Sequence, residues 1–414
     1  MSSSLGNRDR AASPRPSFQD FFSYGFRPFF LGAAVYAALL MPVWSVWIMT
    51  SAEGGGSWLA VPGGPFAWHA HELIFGFALA AVAGFLLTAV PNWTGALPLS
   101  GSPLVALFLF WLAGRLAMTA SPLLPYGVVA ATDLAFVPAL CIVAARQLLV
   151  KPAARNLVFL LLLAAITAAN ALYHAAAGGL IAHDPLDGPR AALMIIGLMI
   201  TIIGGRIIPA FTSNWLHLNR PELRRPTRIG MLDAASVASV AAFAALAITW
   251  GPVSVPAALA AAAACALNAT RLILWRGWTT LNEPIVWVLH AGYAWVVVAM
   301  ALFAVIGLKG SIPSSLAFHA LSTGAAGTMI LAVMSRAALG HTGRTLVAPR
   351  AIVWSYVLIT LAALARVFGP LIFPAHTQAI LTLAALAWTV SFALFAIVYA
   401  PILTTPRVHT KLHP

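Results

Sequence analysis

The chain has 414 residues, of which 61% are hydrophobic and only 8% charged; a soluble domain carries about 25% charged residues. That balance excludes an ordinary soluble domain and predicts an all-α, polytopic membrane protein. The net charge of +13 reads as the Lys and Arg excess of cytoplasmic loops, and no nucleic-acid partner is expected.

Residues 1–27 form a polar tail bearing Arg8, Arg10 and Arg15. No short apolar core followed by a small-residue cleavage site is present, so no cleaved signal peptide is expected. A spanning helix needs about 20 mostly apolar residues. Twelve such stretches follow in order: 28–50, 67–91, 101–120, 125–149, 154–178, 190–213, 228–250, 253–274, 284–307, 312–339, 350–369 and 378–402. Breakers separate them, among them "EGGGS" at 53–57, "DPLDGP" at 184–189 and "NRPELRRPTR" at 219–228. With no long polar linker, residues 28–402 read as one transmembrane domain, followed by a basic tail at 403–414. Most of the 23 Lys and Arg fall on one side if the N-terminus is cytoplasmic. The even helix count then puts both termini in the cytoplasm. Cys141 and Cys265 sit in apolar stretches and read as small core residues.

The second predicted helix opens with "WHAHELIFGF" (68–77), which places His69, His71 and Glu72 in its outer turns. Ionisable groups in hydrocarbon cost roughly 2.5–3.5 kcal/mol each. His174 lies in the last outer turns of the fifth helix, and His319 about two turns into the tenth. A rise of 1.5 Å per residue puts His71 roughly 6 Å and His319 roughly 10 Å below the outer boundary. Four histidines from three helices thus share a depth. Imidazoles from facing helices hold haem iron, and neutral imidazole also suits copper. A metal bond would offset the burial cost. The plainer alternative is a set of helix–helix hydrogen bonds.

Residues i and i+2 of a helix point about 200° apart. His69 and His71 therefore either serve two sites on opposite sides of the helix, or one is a ligand and the other an interfacial residue. His290 and His341 lie toward the cytoplasmic side and complete the candidate metal ligands. Gly76, Ala80 and Gly84, with Thr323 and Gly327, form small-residue stripes that would admit either a planar cofactor or a neighbouring helix.

Arg115 and Asp133 lie near the same outer face and either pair together or leave Arg115, Arg190 or Arg366 to neutralise haem carboxylates. Arg206, between Gly204–Gly205 and Pro209, predicts a weakened, kinked helix whose arginine needs a partner. Arg336, His341 and Arg344 give a polar cytoplasmic rim.

"YGFRPFF" (24–30), "WHAHELIFGF" (68–77), "GGRIIPAFT" (204–212) and "SRAALGHTGR" (335–344) together resemble the NnrS family, from about residue 20 to 403. The resemblance implies a twelve-helix protein of the bacterial inner membrane, containing haem and copper and acting in the nitric oxide response, often alongside denitrification. The family's motif histidines correspond here to His69, His71 and His341. The helix count is also similar to the catalytic subunit of haem–copper oxidases and nitric oxide reductases, in which helices 2 and 10 supply one haem's axial pair, a role that His69 or His71 with His319 would fit here. This chain departs from them in carrying no His-His pair on helix 7.

The expected function is a membrane haem or metal protein that binds or handles nitric oxide and protects against nitrosative stress. The expected haem is b-type, held by His71 and His319, with His69 or His174 serving a second metal and copper as a further cofactor. The competing expectations are a transporter of a metal, haem or anionic metabolite using Arg206, and a sensor or assembly protein without turnover. Redox activity on nitric oxide, and the redox partner, stay open.

Overall fold

A computed structural model describes residues 15–52, 61–310 and 312–408. Arg8, Arg10, Lys411, the "EGGGS" loop and the tail histidines His409 and His413 lie outside the described residues. The described chain is helical, and twelve of its helices are long and apolar enough to cross a membrane. They are α1 Phe26–Thr50, α2 Gly64–Thr94, α3 Ser102–Thr119, α4 Tyr126–Leu148, α5 Ala154–Ala177 and α6 Asp187–Asn219. The second half comprises α7 Gly230–Trp250, α8 Val255–Leu274, α9 Pro284–Lys309, α10 Ser315–His341, α11 Arg350–Ile372 and α12 Pro374–Thr404. All twelve expected spans are present; α2 starts a few residues earlier and α6 runs several residues further than expected.

Three helices form the centre. Buried residues make up 78%, 78% and 72% of the apolar windows of α2, α6 and α10, against half or less in every other span. A helix apolar on all sides can be lipid-facing or central, so this ranking is a tertiary fact. Ser17 donates its backbone N–H to the Thr404 carbonyl (2.9 Å), and Arg27 donates to the Leu403 and Thr405 carbonyls (2.9 and 2.7 Å). The first and last described segments of the chain therefore meet at one end of the bundle.

Two features distort the helices near the histidines. In α2 the α-helix ends at His71 and Glu72–Ala78 form a π-helical stretch; in α10 it ends at His319 and Ala320–Gly327 do the same. Such wide turns are rare and concentrate at functional sites. They leave carbonyls to outside donors: Trp111 Nε1 donates to the Gly76 carbonyl at 2.8 Å. Helix α4 breaks at Ala135, just after Asp133. Pro138, which has no N–H, cannot bond the Leu134 carbonyl four residues back.

Small residues set the spacing of the central helices. A Cβ built on Gly84 would stand 2.7 Å from the Phe30 ring, and one on Gly327 would stand 2.6 Å from Trp388. These positions of the small-residue stripes receive aromatic side chains from neighbouring helices. At Gly188 a Cβ would meet the backbone nitrogen of Tyr173 at 2.8 Å, where α6 crosses α5 beside His174. Backbone cannot swing aside as a side chain can. Gly188→Ala is expected to lower stability by about 1–3 kcal/mol, read as a fall in thermal midpoint in detergent, and an unchanged midpoint would refute this close crossing.

Candidate functional site

The two histidines of α2 face different surroundings. His71 is fully buried and turned toward α4 and α5. Its Nε2 lies 3.1 Å from Asp133 Oδ2 and 3.0 Å from Asn170 Oδ1, and its Nδ1 lies 2.8 Å from Glu72 Oε1. His174 Nε2 reaches the same Asp133 oxygen at 2.9 Å, while its Nδ1 meets the Tyr126 hydroxyl at 3.0 Å. Asn170 Nδ2 donates to that oxygen too, at 2.8 Å. One donor atom from each of His71, Asp133 and His174 falls within 4.8 Å of the others, the one group of three potential metal ligands among the described residues.

Arg115 ties this cluster together. Its guanidinium donates to Glu72 Oε1 at 2.7 Å and pairs with Asp133; Glu72 also accepts from the Tyr36 hydroxyl. All these carboxylates and the arginine are buried. Both ring nitrogens of His71 face acceptor oxygens, as suits an imidazolium, which with Arg115 would balance Glu72 and Asp133; with neutral histidines one negative charge is left in a low-dielectric interior. A bound cation or a proton would balance it. Two imidazoles and a carboxylate suit copper(II), zinc or iron(II) alike.

His69 looks the other way, into a cavity of about 470 Å³ bounded by α1, α2, α6, α10, α11 and α12. That volume is within the range of cofactor pockets, about 300–1,000 Å³. His319 lines the same cavity from α10, and Arg190 and Arg366 border it. The His69 ring stacks on Trp44 (centroids 4.2 Å apart, 20° between planes), and its buried Nδ1 has no hydrogen-bond partner. His319 Nδ1 donates to the Ser315 carbonyl at 2.7 Å. That bond fixes the proton on Nδ1 and leaves the Nε2 lone pair for a metal, the usual arrangement of a ligating histidine.

The arginines around the cavity differ. Arg190 is engaged by Asp184 (2.9 Å) and Asp187 (3.4 Å) and sits over the Phe318 ring. Arg366 has no hydrogen bond or ion pair among the described residues, although it is not freely exposed. A half-buried guanidinium facing an apolar cavity is suited to an anionic group.

Of the two pairings expected for His319, the structure brings it to the cavity of His69 and not beside His71. Residues two apart on α2 diverge, so His69 shares the cavity with His319 while His71 joins His174. Arg115 is committed to Glu72 and Asp133 and does not line the cavity, so of its two expected roles the pairing with Asp133 is the one found and the place beside a haem carboxylate is not. His290 lies elsewhere, its Nε2 donating to Thr212 Oγ1 at 2.8 Å. His341 lies at the end of the bundle where Ser17 meets Thr404, packed against the Tyr24 and Phe26 rings. Nearby, Arg344 donates to Thr405 Oγ1 at 3.0 Å. Arg206 donates to Asn156 Oδ1 (3.2 Å) and the Arg155 carbonyl (2.6 Å) and lies over the rings of Trp93 and Phe159. Helix α6 is continuous through Pro209.

Sequence reasoning did not single out Asn170, Tyr36 or Tyr126. Asn170 had a signal, standing four residues before His174 and so on the same helix face. The tyrosines had none, because each comes from a different helix.

Residues 20–407 match the family described as NnrS protein. The chain belongs to the NnrS family. The match spans the twelve helices and all four recognised motifs. Membership carries a general, nitric-oxide-related membrane role and supports metal binding. No curated protein matches the chain.

Removing the central cation tests the buried cluster. Arg115→Leu would leave Glu72 and Asp133 facing each other without compensation, at a cost of about 3–5 kcal/mol. Thermal unfolding in detergent is expected to show that loss, and Glu72→Gln added to Arg115→Leu is expected to restore part of it.

Proposed function

We propose that this protein is a haem-binding membrane protein that handles nitric oxide, with the haem in the cavity shared by His69 and His319. The carrying observation is a large, mostly apolar cavity that receives two imidazoles from facing helices and one uncommitted arginine. The side chains fit a haem in three ways. His319 presents a free Nε2 because Ser315 holds its Nδ1 proton. His69 is oriented by Trp44 and keeps an unpartnered buried nitrogen. Arg366 supplies an unpaired guanidinium for a propionate.

A haem bound there would supply an iron able to bind nitric oxide and to exchange an electron. The protein's own part is to hold and shield. Ser315 fixes the His319 ring, and Trp44 limits the rotation of His69. The two differ in restraint: the His319 ring is anchored by a hydrogen bond, whereas the His69 Nδ1 makes none. His69 is therefore the side at which an incoming ligand would compete.

The His71–Asp133–His174 group supports a second, separate metal position, for which copper is a fitting ion. A cation there would take the place of the proton that His71 otherwise shares with Glu72 and Asp133, and Asn170 and Tyr126 orient the ligating side chains. Both positions lie at the end of the bundle away from the Ser17–Thr404 contact, which is the periplasmic face if that contact is cytoplasmic. The role that follows is protection against nitrosative stress in a bacterial inner membrane. The hydrogen bonds of Arg206 to Asn156 and the Arg155 carbonyl, in a helix continuous through Pro209, give a transport path less support than the haem reading.

Haem and metal analysis of purified variants tests the assignment. His69→Ala and His319→Ala are each expected to lose the haem, while His71→Ala keeps it and loses the second metal. Arg366→Leu is expected to weaken haem retention by roughly tenfold, the worth of one charged hydrogen bond. The wild-type reduced spectrum is expected to shift on adding nitric oxide. Equal haem in the His69, His71 and His319 variants would refute the proposal.

A further inference from the structure

The motif "GGRIIPAFT" (204–212) gathers guanidinium groups about 24 Å of helix beyond Arg190 and the larger cavity. Arg206 itself is half-buried. It donates from Nη1 to Asn156 Oδ1 at 3.2 Å and from Nη2 to the Arg155 carbonyl at 2.6 Å. Its guanidinium lies over the Trp93 and Phe159 rings, 5.7 and 5.6 Å from their centroids. These contacts fix the group in place and leave most of an arginine's N–H donors free. Arg155 and Arg228 are exposed and near enough to act on Arg206 as like charges. The Arg271 guanidinium lies directly against Gly205, the preceding residue of α6.

One carboxylate serves all of these cations. Asp233 accepts from Arg271 Nε at 2.9 Å through one oxygen and pairs with Arg228 at 3.2 Å through the other. Arg155 and Arg206 have no acidic partner among the described residues. Positive charge is therefore left over. Surface arginines can swing apart to relieve such repulsion. Arg206 cannot, because its hydrogen bonds and the two rings hold it beside Arg155. A fixed cluster of like charge favours an anion at its centre.

The surroundings indicate which anion. Arg155 stands in the first turn of α5 and Trp93 in the last turn of α2, both at the ends of membrane-spanning helices. Tryptophan is the usual side chain of the membrane interface. Within two turns of Arg155, α5 turns Leu161 outward, 69% exposed, with Ala164 and Ala168 exposed beyond it. An apolar face thus runs into the membrane from the charged cluster. A soluble anion would use the charges and leave that face unused, whereas a lipid uses both.

We propose that Arg155, Arg206 and Arg228 bind the phosphate groups of an anionic phospholipid of the cardiolipin type. Basic pockets between transmembrane helices take such headgroups. The planar fork of arginine matches phosphate oxygens in pairs. Cardiolipin carries two phosphates and no amine, which complements the excess of guanidiniums. The ammonium group of phosphatidylethanolamine would meet them as a like charge. The site stands apart from the haem reading, at the other end of the bundle.

Titrating lipid into delipidated full-length protein in an uncharged detergent, read by native mass spectrometry, tests the site. Cardiolipin is expected to bind saturably and roughly tenfold more tightly than phosphatidylethanolamine. Arg155→Gln and Arg228→Gln, both at exposed positions, are each expected to weaken cardiolipin binding roughly tenfold, the worth of one charged hydrogen bond. Their haem content and lipid-free thermal midpoint are expected to match the wild type, which separates lost binding from misfolding. Equal cardiolipin binding by the wild type and both variants would overturn the site. Equal affinity for phosphatidylethanolamine would reduce it to acyl-chain contact and overturn the role of the arginines. Inorganic phosphate that displaces cardiolipin at equal concentration would make it a site for a soluble oxyanion and overturn the lipid.

Discussion

Two imidazoles two residues apart on one α-helix cannot face the same way, and the arrangement of the polar interior follows from that angle. Helix α2 is central, so both of its faces are occupied by other helices. His69 is directed to the side of α1, α6, α10, α11 and α12, where the packing leaves a cavity. His71 is directed to α4 and α5, where it meets Asp133 and His174. One helix thus divides the end of the bundle into two chemically different compartments. The π-helical turns that begin immediately after His71 and after His319 are where α2 and α10 depart from regular geometry.

The two compartments handle charge differently. Around His71 nearly every polar atom has a partner, and the cluster closes through Arg115, Glu72, Asp133, Asn170 and three tyrosines' neighbourhoods in α1, α4 and α5. Its charges balance when His71 carries a proton on both ring nitrogens or when a cation is bound. Around His69 the situation is reversed: a guanidinium and two imidazoles border a mostly apolar space and are largely unengaged by protein. A closed network of carboxylates and imidazoles that takes up one positive charge suits a proton or a small cation, while an open cavity with a spare arginine suits a larger ligand with an anionic edge. The same burial that makes unpaired polar groups costly makes these differences informative.

The opposite end of the bundle shows how motifs of one family can have different physical roles. "YGFRPFF" and "SRAALGHTGR" come together there: Tyr24 and Phe26 pack on His341, Arg27 caps the Leu403 and Thr405 carbonyls, and Arg344 bonds the Thr405 side chain. These contacts clamp the start of α1 to the ends of α10 and α12. His341 is thereby an aromatic-stacked residue of the clamp, far along α10 from His319. "GGRIIPAFT" serves packing as well, since Gly204 lies against the Tyr293 ring and Arg206 is held by Asn156 and the Arg155 carbonyl.

Composition and the run lengths of apolar residues determined the helix count and class, because a bilayer of fixed thickness demands about 20 apolar residues per span. The sequence also determined that His69 and His71 diverge, since that depends only on the angle per residue. It placed His174 and His319 at a similar depth, which depends only on counting along each helix. What it could not determine was rotation. Whether His319 faces His69 or His71, whether Arg115 meets Asp133 or a ligand, and which of Arg190 and Arg366 stays unpaired all depend on how neighbouring helices turn about their axes. In helices apolar on nearly every face, the hydrophobic pattern carries little information about that turn. The packing of Gly84 on Phe30, Gly188 on Tyr173 and Gly327 on Trp388 decided it, through contacts between residues far apart in the chain.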